Sequence, residues 1–344
     1  MSDAVDPFER RFARQVRFAG LGLEGQRRIQ SKSALLVGCG ALGGAIAQSL
    51  VRSGIGRLVL VDRDVVEESN LPRQVLFEER HARDSALKAE AAAEVLAKIG
   101  GPTRVEAHAA HLDASNLVEF AAGVDVVLDG TDNLETRYLV NDFSVDSGLP
   151  WVYGGVVGSS GLVMPVIPGV GPCLRCVFPE APPPGVLPTC ETAGVIQPAV
   201  AFVAALQAGL ALRILAGETS LVPRLVELDA WDGRVREIEL ARDPECPCCG
   251  ARDFVYLHAS RTQRAVRLCG RSTVQVRAAR AKPDLDLVAR NLDGIARDVR
   301  RQGPILRFEV TPEKFTLFAD GRALIEGTED EDRALALYDR YVGA

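Results

Sequence analysis

Residues 33 to 43 read Ser33-Ala-Leu-Leu-Val-Gly-Cys-Gly-Ala-Leu-Gly43, an apolar run that passes straight into G-x-G-x-x-G and then into a long helical segment ending near Ser53. An unbroken apolar run is the mark of a strand buried on both faces, the habit of parallel sheets. Glycines in such a turn let backbone approach a phosphate, and the helix behind them offers unpaired N–H groups. The same alternation continues outward: strands at Arg57 to Asp62 (RLVLVD), Thr103 to His108 and Val124 to Asp129 (VDVVLD), with a helix from Ser85 to Ile99 between the first two and another at 24 to 32 ahead of the run. Strands alternating with helices predict an α/β fold with a largely parallel sheet and helices on both faces.

Past about residue 155 the texture changes. Residues 154 to 172 are rich in Gly and Val and carry Pro165, Pro168 and Pro172, and residues 179 to 188 (PEAPPPGVLP) are proline-rich, so an exposed loop is expected there. An apolar helix follows at 198 to 216, then strands at Arg224 to Asp229 and Arg234 to Leu240 around a Trp231-Asp232-Gly233 turn, and a Cys-dense knuckle at 244 to 250. A smaller α+β unit is expected beyond about residue 255, with strands at 264 to 268, 272 to 277, 305 to 310 and 314 to 318 and helices at 284 to 302 and 330 to 342. The expected division is residues 1–252 and 253–344.

Composition excludes several classes. With 344 residues, 47% hydrophobic and 25% charged, the chain is of ordinary globular make-up and large enough for two units. Its net charge of −6 offers no footprint for nucleic acid or an anionic membrane. The most apolar stretch, Ala199 to Leu212, is interrupted by Gln207 and stops at Arg213, short of the roughly 18 residues a spanning helix needs, so it reads as a buried helix. The N-terminal MSDAVDPFERRF has no apolar signal core, which predicts a cytoplasmic, reducing location. There, eight cysteines are metal ligands or reactive thiols rather than a disulfide framework.

The glycine turn with Asp62 is a Rossmann-like signature that suits a dinucleotide or ATP, and the residues that follow favour a triphosphate. Asp62-Arg-Asp64-Val-Val-Glu-Glu-Ser69-Asn70-Leu-Pro-Arg73-Gln74, Lys88 and Thr131-Asp132-Asn133 all fall at or just past the C-terminal ends of predicted strands. Polyphosphate chemistry needs cations such as Arg73 and Lys88, and a carboxylate such as Asp132 to hold hydrated Mg²⁺. Taken one by one, these residues also fit solvated faces and a helix cap.

The pairs Cys173-x-x-Cys176 and Cys246-x-x-Cys249 lie on predicted loops and suit a tetrahedral Zn²⁺ that ties down the proline-rich crossover, with Cys248 a spare thiol able to compete with Cys249. Cys190 precedes the apolar helix, where the dipole favours a nucleophilic thiolate; an incidental thiol is the alternative. Cys39 reads as a packing residue and Cys269 as a buried strand cysteine.

In unbroken order, Arg11-Phe-Ala-Arg14-Gln15, the Gly38 to Gly43 turn, Asp62 with Ser69-Asn-Leu-Pro-Arg73-Gln74, Lys88, Thr131-Asp132-Asn133, Cys173-x-x-Cys176, Thr189-Cys190-Glu-Thr-Ala-Gly-Val195 and Cys246-x-x-Cys249 resemble the ThiF/MoeB branch of the ubiquitin-activating superfamily. The resemblance covers about residues 8 to 252. It implies ATP- and Mg²⁺-dependent adenylation of the C-terminal Gly-Gly carboxylate of a ubiquitin-like sulfur carrier, with release of pyrophosphate. Asp62 would bind ribose and backbone near Gly40 and Ala41 would cradle phosphate, with Gly38, Gly43, Asp64, Ser69 and Gln74 around them. Asn70, Arg73 and Lys88 would grip the triphosphate, Asp132 would support Mg²⁺, Asn133 would line the pocket, and Arg14 would reach the ATP of a partner subunit in a homodimer. Cys190 would serve as an acyl-accepting or sulfur-relay thiol, and a sulfurtransferase or cysteine desulfurase is a possible donor. Ala41 departs from the family's usual Gly, which is tolerable if its φ is negative. The tail has no Cys-centred loop of the rhodanese kind. The alternatives are an NAD-dependent oxidoreductase and a non-catalytic nucleotide-binding scaffold.

Overall fold

The computed structural model describes residues 6–182, 192–258, 265–267, 272–276 and 283–343. The first sheet has eight strands: β1 Ser33–Val37, β2 Arg57–Val61, β3 Arg104–His108, β4 Val126–Asp129, β5 Trp151–Val157, β6 Ser160–Val166, β7 Arg224–Asp229 and β8 Arg234–Glu239. They lie in the order β3-β2-β1-β4-β5-β6-β7-β8. β3 through β5 are parallel, and β5 through β8 are joined antiparallel. The four strands read from the first part of the sequence are all present, and Ala34, Leu35 and Leu36 of β1 are wholly buried.

From β1 the chain builds towards β2 and β3, then returns to lay β4 on the other side of β1. That reversal opens a crevice beyond the C-terminal ends of β1 and β4, the place where open α/β sheets bind ligands. Helices Ala41–Ser53 and Gln197–Leu215 cover one face, and helix Leu134–Ser147 covers the other.

Helix Gln197–Leu215 matches the expected 198 to 216 within one residue, and at 19 residues it is the one described helix long and apolar enough to cross a membrane. Its place is the core. Val200, Val203, Ala204 and Ala211 pack in the main cluster, and the buried Gln207 amide donates to the Asp129 and Val152 carbonyls at 2.8 and 3.3 Å.

The Gly- and Val-rich stretch is the β5–β6 hairpin, turning at Gly158 with φ +63°. Its strands were not apparent from sequence because glycines and a proline mask their pattern. Pro165 is accommodated beyond the last β6–β7 pair, Val163 with Val226.

The second sheet is antiparallel: β9 Ala265–Arg267, β10 Thr273–Val276, β11 Arg297–Gln302, β12 Ile305–Val310, β13 Glu313–Phe318 and β14 Ala323–Glu326, in the order β11-β12-β13-β14-β10-β9. Helices Leu285–Asn291 and Glu331–Tyr341 pack on it over Leu292, Phe308, Phe315 and Tyr338. The helix expected over 284 to 302 is corrected here: it stops at Asn291, Gly294 takes φ +70°, and residues 297–302 pair with β12 instead. Arginine-rich sequence favours helix locally, but hairpin pairing through the Gly303-Pro304 turn wins.

Candidate functional site

The crevice floor is the turn after β1. Gly38 has φ +88°, and its N–H donates to the Val61 carbonyl at 2.8 Å while Gly130 donates to Val37 at 2.8 Å. A Cβ on Gly43 would stand 1.8 Å from the Gly38 carbonyl oxygen, so no side chain fits and helix 41–53 begins hard against the strand ends. Gly40 is the N-cap without a capping side chain, leaving the first N–H groups of that helix aimed out of the turn. Ala41 is the first helical residue and has negative φ, so the alanine is accommodated.

Asp62 closes over this turn. It is 7% exposed, and its two oxygens accept the Cys39 N–H at 2.6 Å and the Asp64 N–H at 2.7 Å. Burial pushes its pKa up, against the pull of nearby Lys88. The Cys39 thiol, buried beside it, is pushed well up and is a packing residue, not a nucleophile.

Lys88 opens helix Lys88–Ile99. Its backbone N–H donates to the Asp64 carbonyl at 2.9 Å, and its ammonium lies 3.6 Å from Asp64 Oδ2. Burial would lower the ammonium's pKa, but Asp64, Asp62, Asp132 and Glu67 outweigh it and keep Lys88 charged. Burial would likewise raise Asp64, yet Lys88, Arg63 and Arg322 hold it ionised at about 2.

The Ser69 to Gln74 segment folds over the same opening. Asn70 is buried and caps it, its Oδ1 accepting the Glu67 N–H at 3.1 Å, and Arg73 donates to the Ser69 carbonyl at 2.7 Å. Gln74 is buried with Oε1 lacking a hydrogen-bond partner, and its Nε2 stands 3.8 Å from where a Gly40 Cβ would sit. That orphaned acceptor beside the turn is free to take a ligand's donor.

From β4, Asp132 is exposed, and Asn133 caps helix 134–147 by accepting the Thr136 N–H at 2.9 Å. The capping oxygen is therefore committed to the helix. Sequence reasoning missed the pair beneath them. Asp129 Oδ2 accepts from Arg137 Nε at 2.9 Å, and Arg137 Nη2 donates to Thr131 and Gly154 carbonyls at 2.7 and 3.0 Å. The available signal was an Asp ending an apolar strand and an Arg one turn past the cap.

Arg14 is not brought together with these groups. It sits exposed on the short helix Ala13–Val16, without a hydrogen bond or ion pair among the described residues. Its neighbour Gln15 reaches Gln26 and the Ser53 carbonyl, at the C-terminal end of helix Ala41–Ser53. At about 1.5 Å per residue that end is about 20 Å from the glycine turn. Cys190 and Cys269 lie outside the described residues.

The second constellation is the cysteine cluster. Cys173, Cys176, Cys246 and Cys249 place their sulfurs within 4.8 Å of one another, with separations of 3.9 Å (173 to 176), 3.6 Å (173 to 246) and 3.4 Å (176 to 249). A tetrahedral ion with bonds of about 2.3 Å needs sulfurs about 3.8 Å apart, so the set fits a zinc-type site. Cys248 packs against this set without being one of its four: it is buried, its sulfur accepts from Asn141 Nδ2 at 3.3 Å, and its thiol is in hydrogen-bond contact with Cys173 and with Asp142. Asn141 also accepts the Leu174 N–H at 2.8 Å, and Tyr138 donates to the Phe178 and Glu180 carbonyls at 3.0 and 2.8 Å. The cluster thus hangs on the helix whose N-terminus carries Asn133.

Comparison with known proteins agrees with this architecture. The sequence profile of the ThiF family matches residues 12–248. The sulfur carrier protein ThiS adenylyltransferase of Bacillus subtilis (strain 168) is 39% identical over 336 residues, 97% of this chain and 99% of that protein. The SAMP-activating enzyme E1 of Haloferax volcanii is 41% identical over 243 residues, 70% of this chain and 88% of its own. Among solved structures, E. coli MccB with MccA-N7isoASN superposes with a TM-score of 0.62 at 22% identity, covering 72% of this chain and 76% of that one, a likeness of fold.

Proposed function

Because this chain belongs to the ThiF family, we propose that it adenylates the C-terminal Gly-Gly carboxylate of a ubiquitin-like sulfur-carrier protein, consuming ATP and releasing pyrophosphate. The observation that carries this reading is the buried, charged Lys88 beside the glycine turn at the sheet's reversal, with Asp62 locked on that turn. Hydride transfer would call for a flat apolar slot, whereas Lys88 here stands among the charges of Asp64, Asp62 and Asp132, which supports a polyphosphate reading.

The carrier's carboxylate is itself the nucleophile at the α-phosphorus, so no general base is required. The N–H groups after Gly40 receive phosphate oxygens, Asp62 turns its remaining lone pairs to the ribose, and Lys88 balances the charge that gathers as pyrophosphate leaves. Asn70 and Arg73 hold the outer phosphates, and Asp132 is the residue that would hold Mg²⁺, which would supply positive charge to offset the phosphates. Arg14, far from its own chain's turn, acts on the nucleotide of the other subunit of a homodimer. Four thiolates, from Cys173, Cys176, Cys246 and Cys249, hold a structural Zn²⁺. Cys190 keeps its proposed role as an accepting thiol in sulfur transfer from a sulfurtransferase or desulfurase, in the cytoplasm.

The test is formation of acyl-AMP. Incubation with ATP, Mg²⁺ and purified carriers of the ThiS and MoaD type, read by mass spectrometry and by pyrophosphate exchange, should give adenylate on at least one carrier. Absence of exchange with every Gly-Gly carrier, or reduction of NAD instead, would overturn the reading.

A further inference from the structure

The C-terminal sheet meets the eight-stranded sheet at the segments that flank Asp64 and Lys88. Ile305, Phe318 and Leu324 form an apolar cluster with Val65 and Leu87, two residues that also pair with each other as an isolated bridge. Val65 follows Asp64 and Leu87 precedes Lys88. On the other side of Asp64, Arg63 donates to Gln275 Oε1 at 2.8 Å, and its carbonyl accepts from Arg322 Nη2 at 2.6 Å.

Arg322 is built into its position. Its Nε pairs with Asp320 Oδ2 at 2.7 Å, its guanidinium stands 4.4 Å over the Phe318 ring, and Tyr338 pins the adjacent Gly321 carbonyl at 2.6 Å. It is 5% exposed, and Nη1 has no hydrogen-bond partner. Burying a cation this completely is costly. The Asp64 to Lys88 separation of 3.6 Å, meanwhile, is too long for a hydrogen bond to fix it. The backbones around the pair must set its geometry.

Resting on the reading above, we propose that the C-terminal unit is part of the nucleotide site, with Arg322 as a positioning residue. It holds the Arg63 carbonyl and, together with the apolar cluster behind Val65 and Leu87, sets where Asp64 and Lys88 stand relative to each other. The tail is then a brace for the triphosphate grip.

The experiment uses the full chain, with calorimetric binding of α,β-methylene-ATP and Mg²⁺ alongside the KM and kcat of pyrophosphate exchange. Arg322→Met should weaken nucleotide binding about tenfold, the worth of one charge-assisted bond, and raise the KM for ATP in step while kcat changes less. Arg322→Lys, which keeps a donor for the Arg63 carbonyl, should recover part of the loss. Leu292→Ala, in the core of the same unit, should lower the melting temperature and leave affinity unchanged. Should Arg322→Met fail to fold, Phe318→Leu, which removes the ring beneath the guanidinium and trims the cluster behind Val65, should weaken nucleotide binding in the same direction. Wild-type affinity in a folded contact variant overturns the inference, as does an equal loss in Leu292→Ala. An unaltered chain that binds no nucleotide overturns the reading beneath it.

Discussion

The Asp62 carboxylate accepts the Cys39 N–H at 2.6 Å and the Asp64 N–H at 2.7 Å, so one side chain fastens the glycine turn to the segment that carries Asp64. Each side of that fastening is a backbone amide with nowhere else to bond. Asp62→Asn keeps one accepting oxygen and presents an NH₂ to the other amide. Its unfolding free energy in urea should fall by about 1–3 kcal/mol, and pyrophosphate exchange should lose ATP affinity as the turn loosens. A variant with wild-type stability and KM would show that the carboxylate does not organise the turn.

Arg14 stands at the far end of helix Ala41–Ser53 from its own chain's crevice. Arg14→Ala and Asp132→Ala should each abolish pyrophosphate exchange alone. Mixed after subunit exchange, they should recover up to about a quarter of the activity, since half the dimers are hybrids and each hybrid has one intact site. No recovery, with exchange of subunits verified by mass spectrometry, would place Arg14 outside a shared site.

The sulfur geometry separates two adjacent thiols. Metal analysis should find about one zinc per chain, four thiolates to one ion. Cys249→Ser should lose it, while Cys248→Ala should keep it, because the four sulfurs of Cys173, Cys176, Cys246 and Cys249 close the set, and Cys248 touches Cys173 from the side of Asn141 and Asp142. The reverse pattern would redraw the ligand set.

His81 provides an acid-sensitive cap. It is 3% exposed, and its Nδ1 accepts the Glu78 N–H at 3.0 Å, which only the neutral ring can do. Burial, with Arg80 alongside, lowers its pKa below the ordinary 6.5. The folded state therefore binds fewer protons at this ring than the unfolded chain does. Its stabilisation is complete above pH 6.5 and is lost as pH falls through the lowered value. Urea midpoints measured from pH 8 to pH 5 should decline over that interval. His81→Asn, which retains an acceptor but no titrating ring, should start lower and decline less.

What was legible in the sequence was the part decided by neighbours in the chain. β1, β2 and β4 were found because strands buried on both faces are apolar without interruption, β3, an edge strand, by its place in the alternation, and the crevice residues because they follow those strands directly. The Cys249-over-Cys248 choice needed the packing of helix Leu134–Ser147. The stretch 297–302 was misread because arginines suit a helix and only the partner strand makes it a hairpin. Arg63 with Gln275, 212 positions apart, and Arg63 with Arg322, 259 apart, belong to tertiary structure alone.

Helix Leu134–Ser147 has 14 residues, about 21 Å of rigid rod. Asn133 seats it beside the crevice at one tip, and further along Asn141 holds the Leu174 N–H between Cys173 and Cys176 and touches Cys248. A rod seated at both places ties the order of the knot to the position of Asn133 at the crevice edge. Treatment with a chelator is thereby expected to weaken ATP binding, read by calorimetry before and after.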